Sequence, residues 1–355
     1  MIIVTRSQAT SEERQQVVEL VLRLAGSQRP ISAITMQERQ VITIDGNNLD
    51  AQAHAALSQH SAVERIVSTQ TPYQLVSRAF QSEDSLIMVG DLPGSQPVTI
   101  GGATPVIITG PCAVESREQL MEIARAVKDA GAQVLRGGAF KPRTSPYQFQ
   151  GLGVEGLRFL AEAREETGLP VITEVMEPDM VDAVVQYADI LQIGSRNMQN
   201  FPLLQAAGSH PARRPVMLKR GFASTIDEWL LAAEYIVAAG NPNVILCERG
   251  IRSFDPYTRN LLDLTCVPLL HELTHLPVIV DPSHATGRRE LVPTMSRAAI
   301  AAGAHGLILE THIDPDSALC DGRQSITPEQ LQTIAQQTRL VAQIMSDPAV
   351  LDYVA

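Results

Sequence analysis

Ala132-Gln-Val-Leu-Arg136-Gly-Gly-Ala-Phe-Lys141-Pro-Arg143-Thr144-Ser145 is an apolar strand that opens directly into a loop of cations, hydroxyls and glycines. Glycine lets a backbone approach a ligand closely, and a guanidinium presents a planar fork that matches carboxylate or phosphate oxygens. Pro142 fixes the backbone between the second and third cations. The chain has 355 residues and a net charge of −11, so a cationic cluster stands out against its background. The loop reads as a pocket for a small, multiply charged anion.

Outward from this stretch the same texture recurs. Val106-Ile-Ile-Thr, Val134-Leu-Arg, Val171-Ile-Thr-Glu, Ile190-Leu-Gln-Ile, Val216-Met-Leu-Lys, Val244-Ile-Leu-Cys, Val278-Ile-Val-Asp and Gly306-Leu-Ile-Leu-Glu are short apolar runs, each followed by a helical segment. Nearly continuous apolar strands alternating with helices predict a parallel sheet covered by helices. Eight such units fit a closed (β/α)8 TIM barrel better than an open sheet. No GxGxxG opens a helix after the first run, which argues against a dinucleotide-binding sheet. The barrel is assigned to residues 96–345. In front of it, residues 1–70 read as strand, helix, two strands, helix, strand. That βαββαβ order predicts a small ferredoxin-like domain, regulatory or assembling, joined through a linker at 71–95.

Composition narrows the function. An acidic balance argues against a nucleic-acid surface. No apolar run reaches the roughly 18 residues of a membrane span, and Met-Ile-Ile-Val-Thr is too short for a signal-peptide core. These features predict a cytoplasmic protein with no membrane or nucleic-acid partner. Cys112, Cys247, Cys266 and Cys320 lie far apart with no CxxC pair, and read as reduced thiols.

In a TIM barrel, chemistry lies at the carboxyl ends of the strands. Here every predicted end carries a polar or reactive group: Cys112, Arg136 to Ser145, Glu174, Arg196, Lys219, Arg249, His284 and Glu310. One set is cationic: Arg136, Lys141, Arg143, Arg196, Lys219 and Arg249. Together they suit phosphorylated substrates. Arg220 and Arg252 are left aside, because their direction is not readable from spacing. A second set, Cys112, His284, Glu310 and Asp321, offers sulfur, nitrogen and oxygen donors for one divalent ion such as Mn2+, Fe2+, Co2+ or Zn2+. His312 is an alternative ligand. Cys247 reads as strand core and Cys266 as packing.

Gly110-Pro-Cys-Ala-Val-Glu-Ser116, Leu135 to Tyr147, Ile193-Gly-Ser-Arg-Asn-Met-Gln-Asn200, Leu218-Lys-Arg-Gly221, Cys247-Glu-Arg-Gly-Ile-Arg252 and Asp281-Pro-Ser-His284 together resemble DAHP synthase. That enzyme opens the shikimate pathway to the aromatic amino acids by joining phosphoenolpyruvate to erythrose 4-phosphate. The resemblance spans the predicted barrel. The alternative is the sister KDO-phosphate synthase, which uses arabinose 5-phosphate. It typically carries Lys-Ala-Asn-Arg-Ser where this chain has Lys141-Pro-Arg-Thr-Ser145, and it lacks the Gly194-Ser-Arg196 element.

The resemblance implies that Arg136, Arg196, Lys219 and Arg249 hold the carboxylate and phosphate of phosphoenolpyruvate, and that Glu174 positions water or polar partners beside it. It implies that Lys141, Arg143, Thr144 and Ser145 receive the aldose phosphate. Cys112, His284, Glu310 and Asp321 would hold the metal, making Lys141, Cys112 and His284 the catalytic residues. Lys141 is expected to act as a general acid, its pKa lowered by the neighbouring cations. The front domain resembles a module that binds tyrosine or phenylalanine in related synthases, and the family expectation is a homotetramer.

Overall fold

The structure is a computed structural model that describes residues 1–25, 31–36, 38–44, 49–68, 71–143 and 145–347. In the front domain, β1 (Ile2–Thr5), α1 (Ser11–Ala25), β2 (Ile31–Met36), β3 (Arg39–Ile44), α2 (Ala51–Ser58) and β4 (Val63–Val67) follow the predicted order. The strands form an antiparallel sheet in the order β2-β3-β1-β4, as a ferredoxin-like sandwich requires. Side chains alternate across it. Ile3, Ile42 and Ile44 pack with Val17 and Val21 of α1 and Leu57 of α2. Ile2, Val4 and Val41 face the other way and join the outer core of the barrel.

Residues 71–95, expected as a linker, are built into the fold. Tyr73, Leu75, Val76 and Phe80 are buried in the same outer core. A short strand β5 (Ile87–Val89) pairs antiparallel with β6 (Val98–Ile100). Gly90 and Gly101 of this hairpin lie against Pro170 and Pro277, each just ahead of a barrel strand, so the hairpin covers the amino end of the barrel.

Each of the eight apolar runs becomes a parallel strand: β7 (Val106–Gly110), β8 (Val134–Arg136), β9 (Val171–Glu174), β10 (Ile190–Ile193), β11 (Val216–Lys219), β12 (Val244–Glu248), β13 (Val278–Val280) and β14 (Gly306–Glu310). They close in sequence order, β14 pairing with β7, into the expected barrel. Around it run α3 (Arg117–Asp129), α4 (Val154–Thr167), α5 (Val181–Val184), α6 (Phe201–Ser209), α7 (Ile226–Ala238), α8 (Cys266–Leu273), α9 (Pro282–Thr286), α10 (Val292–Ala301) and α11 (Pro328–Met345). No helix among the described residues is long and apolar enough to cross a membrane.

The period of two along each strand fixes what the mouth contains. Val106, Ile108, Val134, Ile172, Ile190, Met217, Ile245, Cys247, Ile279 and Ile308 fill the barrel interior, with Ile87, Val89 and Ile100 of the hairpin below them. Leu135, Val171, Leu191, Val216, Leu218, Leu246, Val280 and Leu309 point outward under the helices. Counting two residues on from each inward side chain lands on Arg136, Glu174, Gln192, Lys219, Arg249, Asp281 and Glu310. The same alternation sends Glu248 outward, where it pairs with Arg220 at 3.1 Å.

Candidate active site

Above the apolar filling lies a cavity of about 300 Å3 whose wall includes Lys141, Arg143, Glu174, Arg196, Lys219, Arg249, Arg259, His284 and Asp321. Arg136 is buried beneath it, its Nη2 3.2 Å from Glu310 Oε1. Its Nε and Nη1 have no hydrogen-bond partner among the described residues, and neither does the Ser195 hydroxyl. Lys219 Nζ donates to Asp281 Oδ2 at 2.6 Å. Glu174 accepts from Gln192 at 3.5 Å. A Cβ on Gly194 would come within 2.1 Å of Glu174 Oε1, so only glycine admits this approach.

Lys141 folds back over Gly138, and its Nζ donates to the Cys112 carbonyl at 3.0 Å. A Cβ on Gly138 would sit 2.5 Å from the lysine chain, which explains the second glycine of the motif. The expected depression of the Lys141 pKa is corrected here. Burial acts downward, but the Cys112 and Cys320 sulfurs outweigh it, opposing Arg136, and hold the ammonium above the ordinary lysine value. The cations counted in the sequence lie near this lysine, yet sulfur lies nearer in effect. Arg143 donates from Nε to Gln148 at 3.1 Å and from Nη1 to Cys320 Sγ. The Ser145 hydroxyl accepts from the Tyr147 N–H at 3.4 Å and does not line the cavity. Thr144 lies outside the described residues.

The four expected metal ligands do come together, in two groups that share one residue. His284, Glu310 and Asp321 have ligand atoms within 4.8 Å of one another, and so do Cys112, Cys320 and Asp321. His284 Nδ1 meets Asp281 Oδ2 at 2.8 Å, while Nε2 faces Glu310 Oε1 at 3.3 Å. A carboxylate only accepts, so Nδ1 carries the proton and Nε2 keeps its lone pair for a metal. Burial lowers the His284 pKa, against the pull of Asp281 and Glu310. Burial would raise Asp281, but His284 and Lys219 overcome it and hold the carboxyl well below its usual range. Asp321 sits at φ 53, a left-handed conformation that Asp tolerates. Burial raises its pKa too, yet His284, Arg259 and Lys141 bring it to about 2.

The fit to a divalent ion rests on more than proximity. Glu310 Oε1 is buried and lacks a hydrogen-bond donor, and it faces the free lone pair of His284. Sulfur, imidazole and carboxylate donors around such an atom suit a transition ion. His312 is not part of the set: its Nε2 meets Gln119 at 2.9 Å and its Nδ1 accepts from Asp314 N–H at 3.0 Å. Cys247 is interior packing and Cys266 lies outside the barrel beside Glu248.

Sequence reasoning passed over several residues at this mouth. Cys320 Sγ lies 3.0 Å from Cys112 Sγ, and its place next to Asp321 was the available signal. Asp281 was quoted within its motif but given no role, although Asp three residues before His is a common pairing. Arg259, 3.4 Å from Asp321, sits in a long loop whose return to the mouth no periodicity announces. Of the two arginines set aside, Arg220 turns outward to Glu248 and Asp263, and Arg252 rests against Phe222.

Comparison with known proteins agrees with this geometry. The profile of the DAHP synthetase I family matches residues 80–346. The phospho-2-dehydro-3-deoxyheptonate aldolase of Thermotoga maritima is 47% identical over 96% of this chain and 98% of its own length. The 2-dehydro-3-deoxyphosphooctonate aldolase of Bradyrhizobium diazoefficiens is 35% identical, over 71% of this chain and 94% of its own. Among solved structures, the Thermotoga maritima phospho-2-dehydro-3-deoxyheptonate aldolase (DAHP synthase) superposes with a TM-score of 0.74 at 47% identity, covering 97% of both chains. A truncated 3-deoxy-D-arabino-heptulosonate 7-phosphate synthase from the same organism gives 0.70 at 49% identity, covering 77% of this chain and 97% of its own. The Thermotoga maritima relative thus covers nearly the whole of this chain, the truncated structure 77% of it, and the chain belongs to the DAHP synthetase I family.

Proposed function

We infer that this protein condenses phosphoenolpyruvate with erythrose 4-phosphate and water, giving DAHP and phosphate as the first step of the shikimate pathway. The observation that carries this reading is the convergence of six cations on one cavity: Lys141, Arg143, Arg196, Lys219, Arg249 and Arg259. Beneath them Arg136 keeps two buried donors unpaired. A single phosphate needs fewer cations than this, whereas two phosphorylated partners, one also a carboxylate, match the set. The Lys141 to Ser145 run and the relative matching the whole chain support the four-carbon aldose over arabinose 5-phosphate.

In this reading Arg136, Arg196, Lys219 and Arg249 bind phosphoenolpyruvate, and Arg143 and Thr144 bind the aldose phosphate, with Ser145 left outside the cavity wall. Cys112, His284, Glu310 and Asp321 hold one divalent ion, Mn2+, Fe2+, Co2+ or Zn2+, which when bound supplies Lewis-acid polarisation of the aldehyde. The enol carbon attacks the aldehyde carbon, and Lys141 gives its proton to the new alkoxide. Water then adds to the former enol carbon, with Glu174 orienting it. The bond from that carbon to the phosphate oxygen breaks, and phosphate leaves among the cations. Holding both partners in one cradle contributes through proximity.

The front domain is proposed to sense tyrosine or phenylalanine within a cytoplasmic homotetramer. Two experiments test the reading. Phosphate release is measured with erythrose 4-phosphate and with arabinose 5-phosphate, and preference for the five-carbon sugar would overturn the substrate. Activity is then titrated with tyrosine and phenylalanine, where insensitivity to both would leave the front domain an assembly role.

A further inference from the structure

Phe222 follows Lys219-Arg220-Gly221 at the carboxyl end of β11, and three guanidiniums stand over its ring. Arg249 lies 4.8 Å from the ring centroid, Arg252 at 5.4 Å and Arg196 at 5.7 Å. They arrive from two other strand ends, Arg196 after β10 and Arg249 and Arg252 after β12. The backbone ties the same loops together, since the Arg252 N–H donates to the Phe222 carbonyl at 2.7 Å. Phe222 is half-buried and lines the cavity beside Arg196, Lys219 and Arg249.

Three cations around one point repel one another, the more so where water is excluded. Burial lowers the Arg249 pKa, Asp281 opposes that shift, and Arg259 adds to it. Neither Arg249 nor Arg252 is in an ion pair among the described residues. A carboxylate at this position would gather the arginines more strongly. It would also neutralise them and repel an incoming anion. An aromatic face attracts guanidiniums through its quadrupole and adds no net charge. It collects the cations and leaves their charge available to the ligand.

We propose that Phe222 is a positioning residue that preorganises Arg196 and Arg249 for the anionic groups of phosphoenolpyruvate, with Arg252 as an outer cation of the same cluster. This rests on reading those arginines as the phosphoenolpyruvate cradle, and the test separates the two claims. Phe222 is replaced by leucine, by tyrosine, and by mono-, di- and trifluorinated phenylalanines, which drain the ring face while nearly keeping its shape. Phe222→Leu raises KM for phosphoenolpyruvate by about tenfold, the scale of desolvated cation–π contacts, with little change in kcat. Phe222→Tyr stays near the native value, and KM climbs stepwise with fluorination. A merely packing role would leave the fluorinated series flat. Arg249→Ala is measured alongside. If it leaves KM for phosphoenolpyruvate unchanged, the cradle reading falls. If it raises KM while the fluorinated series stays flat, the role of Phe222 alone is overturned.

Discussion

At the amino end of the barrel, Arg164 and Asp189 are buried, yet their partners are complete. Arg164 donates to the Pro93 carbonyl at 3.0 Å and the Tyr187 carbonyl at 2.6 Å. Asp189 accepts from the Ser95 hydroxyl at 2.9 Å and from the Val171 and Leu92 N–H groups at 2.8 and 3.4 Å. At the carboxyl end the buried charges are more numerous, Arg136, Glu174, Lys219, Arg249, Asp281 and Glu310 among them, and some are left short. Five buried side-chain atoms lack a hydrogen-bond partner among the described residues, and four of them (two on Arg136, one each on Ser195 and Glu310) lie at the mouth. Buried polar groups without partners cost stability, so a fold keeps them where a ligand completes them. The comparison separates an end built for stability from an end built for chemistry.

The largest effect that sharpens this contrast is at the mouth. Lys141→Met should lower kcat about a thousandfold, the range of general-acid loss, while thermal melting barely moves. A melting loss matching the activity loss would erase the distinction. At the floor the pattern inverts. Asp189→Ala should cost about 3 kcal/mol in denaturant titration, because it strands Arg164 and the Val171 N–H. KM and kcat of the folded fraction should stay unchanged.

Next comes pH. Burial, and then the neighbouring His271, lower the His305 pKa from 6.5 to about 4. The folded state refuses a proton that the unfolded state accepts, so stability is full above the unfolded pKa and falls as pH drops from 6.5 towards 4. The loss is at most about 3 kcal/mol, and less because the ring is partly exposed. Melting scans of the native chain and of His305→Gln over that window should differ in slope, the variant being flatter. Identical slopes would remove His305 from the account. The smallest effect is expected where the segment ahead of the hairpin meets the barrel wall. The Glu234 carboxylate accepts the N–H groups of Leu75 and Val76 at 2.8 and 3.0 Å. Glu234→Ala should cost roughly 1–2 kcal/mol and accelerate hydrogen exchange at those two amides, with the chemistry untouched.

Much of this contrast was legible in the sequence, for a physical reason. A strand buried on both faces must be apolar throughout, so Val216-Met-Leu-Lys219 and its seven counterparts mark their own carboxyl ends by where polarity returns. Those ends gave Arg136, Glu174, Lys219, Arg249, His284 and Glu310, and the structure gathers them at one mouth. What stayed hidden depends on long loops and on facing pairs. Cys320 and Arg259 reach the site through loops with no periodicity. Arg220 and Lys219 are neighbours in sequence, but the pleat turns one out to Glu248 and the other in to Asp281. The direction of the Lys141 shift depends on sulfurs from two different loops. The hairpin at the amino end went unread, its first strand counted with the linker and its second with the barrel, because three-residue strands carry too little pattern to count.

The central claim is that the carboxyl mouth joins phosphoenolpyruvate to erythrose 4-phosphate with a divalent ion held by Cys112, His284, Glu310 and Asp321. The most direct measurement is phosphate release from phosphoenolpyruvate in the presence of erythrose 4-phosphate, before chelation, after it, and after restoring Mn2+. The account predicts turnover that disappears with the chelator and returns with the ion. Undiminished turnover after complete metal removal, or turnover only with arabinose 5-phosphate, would contradict it.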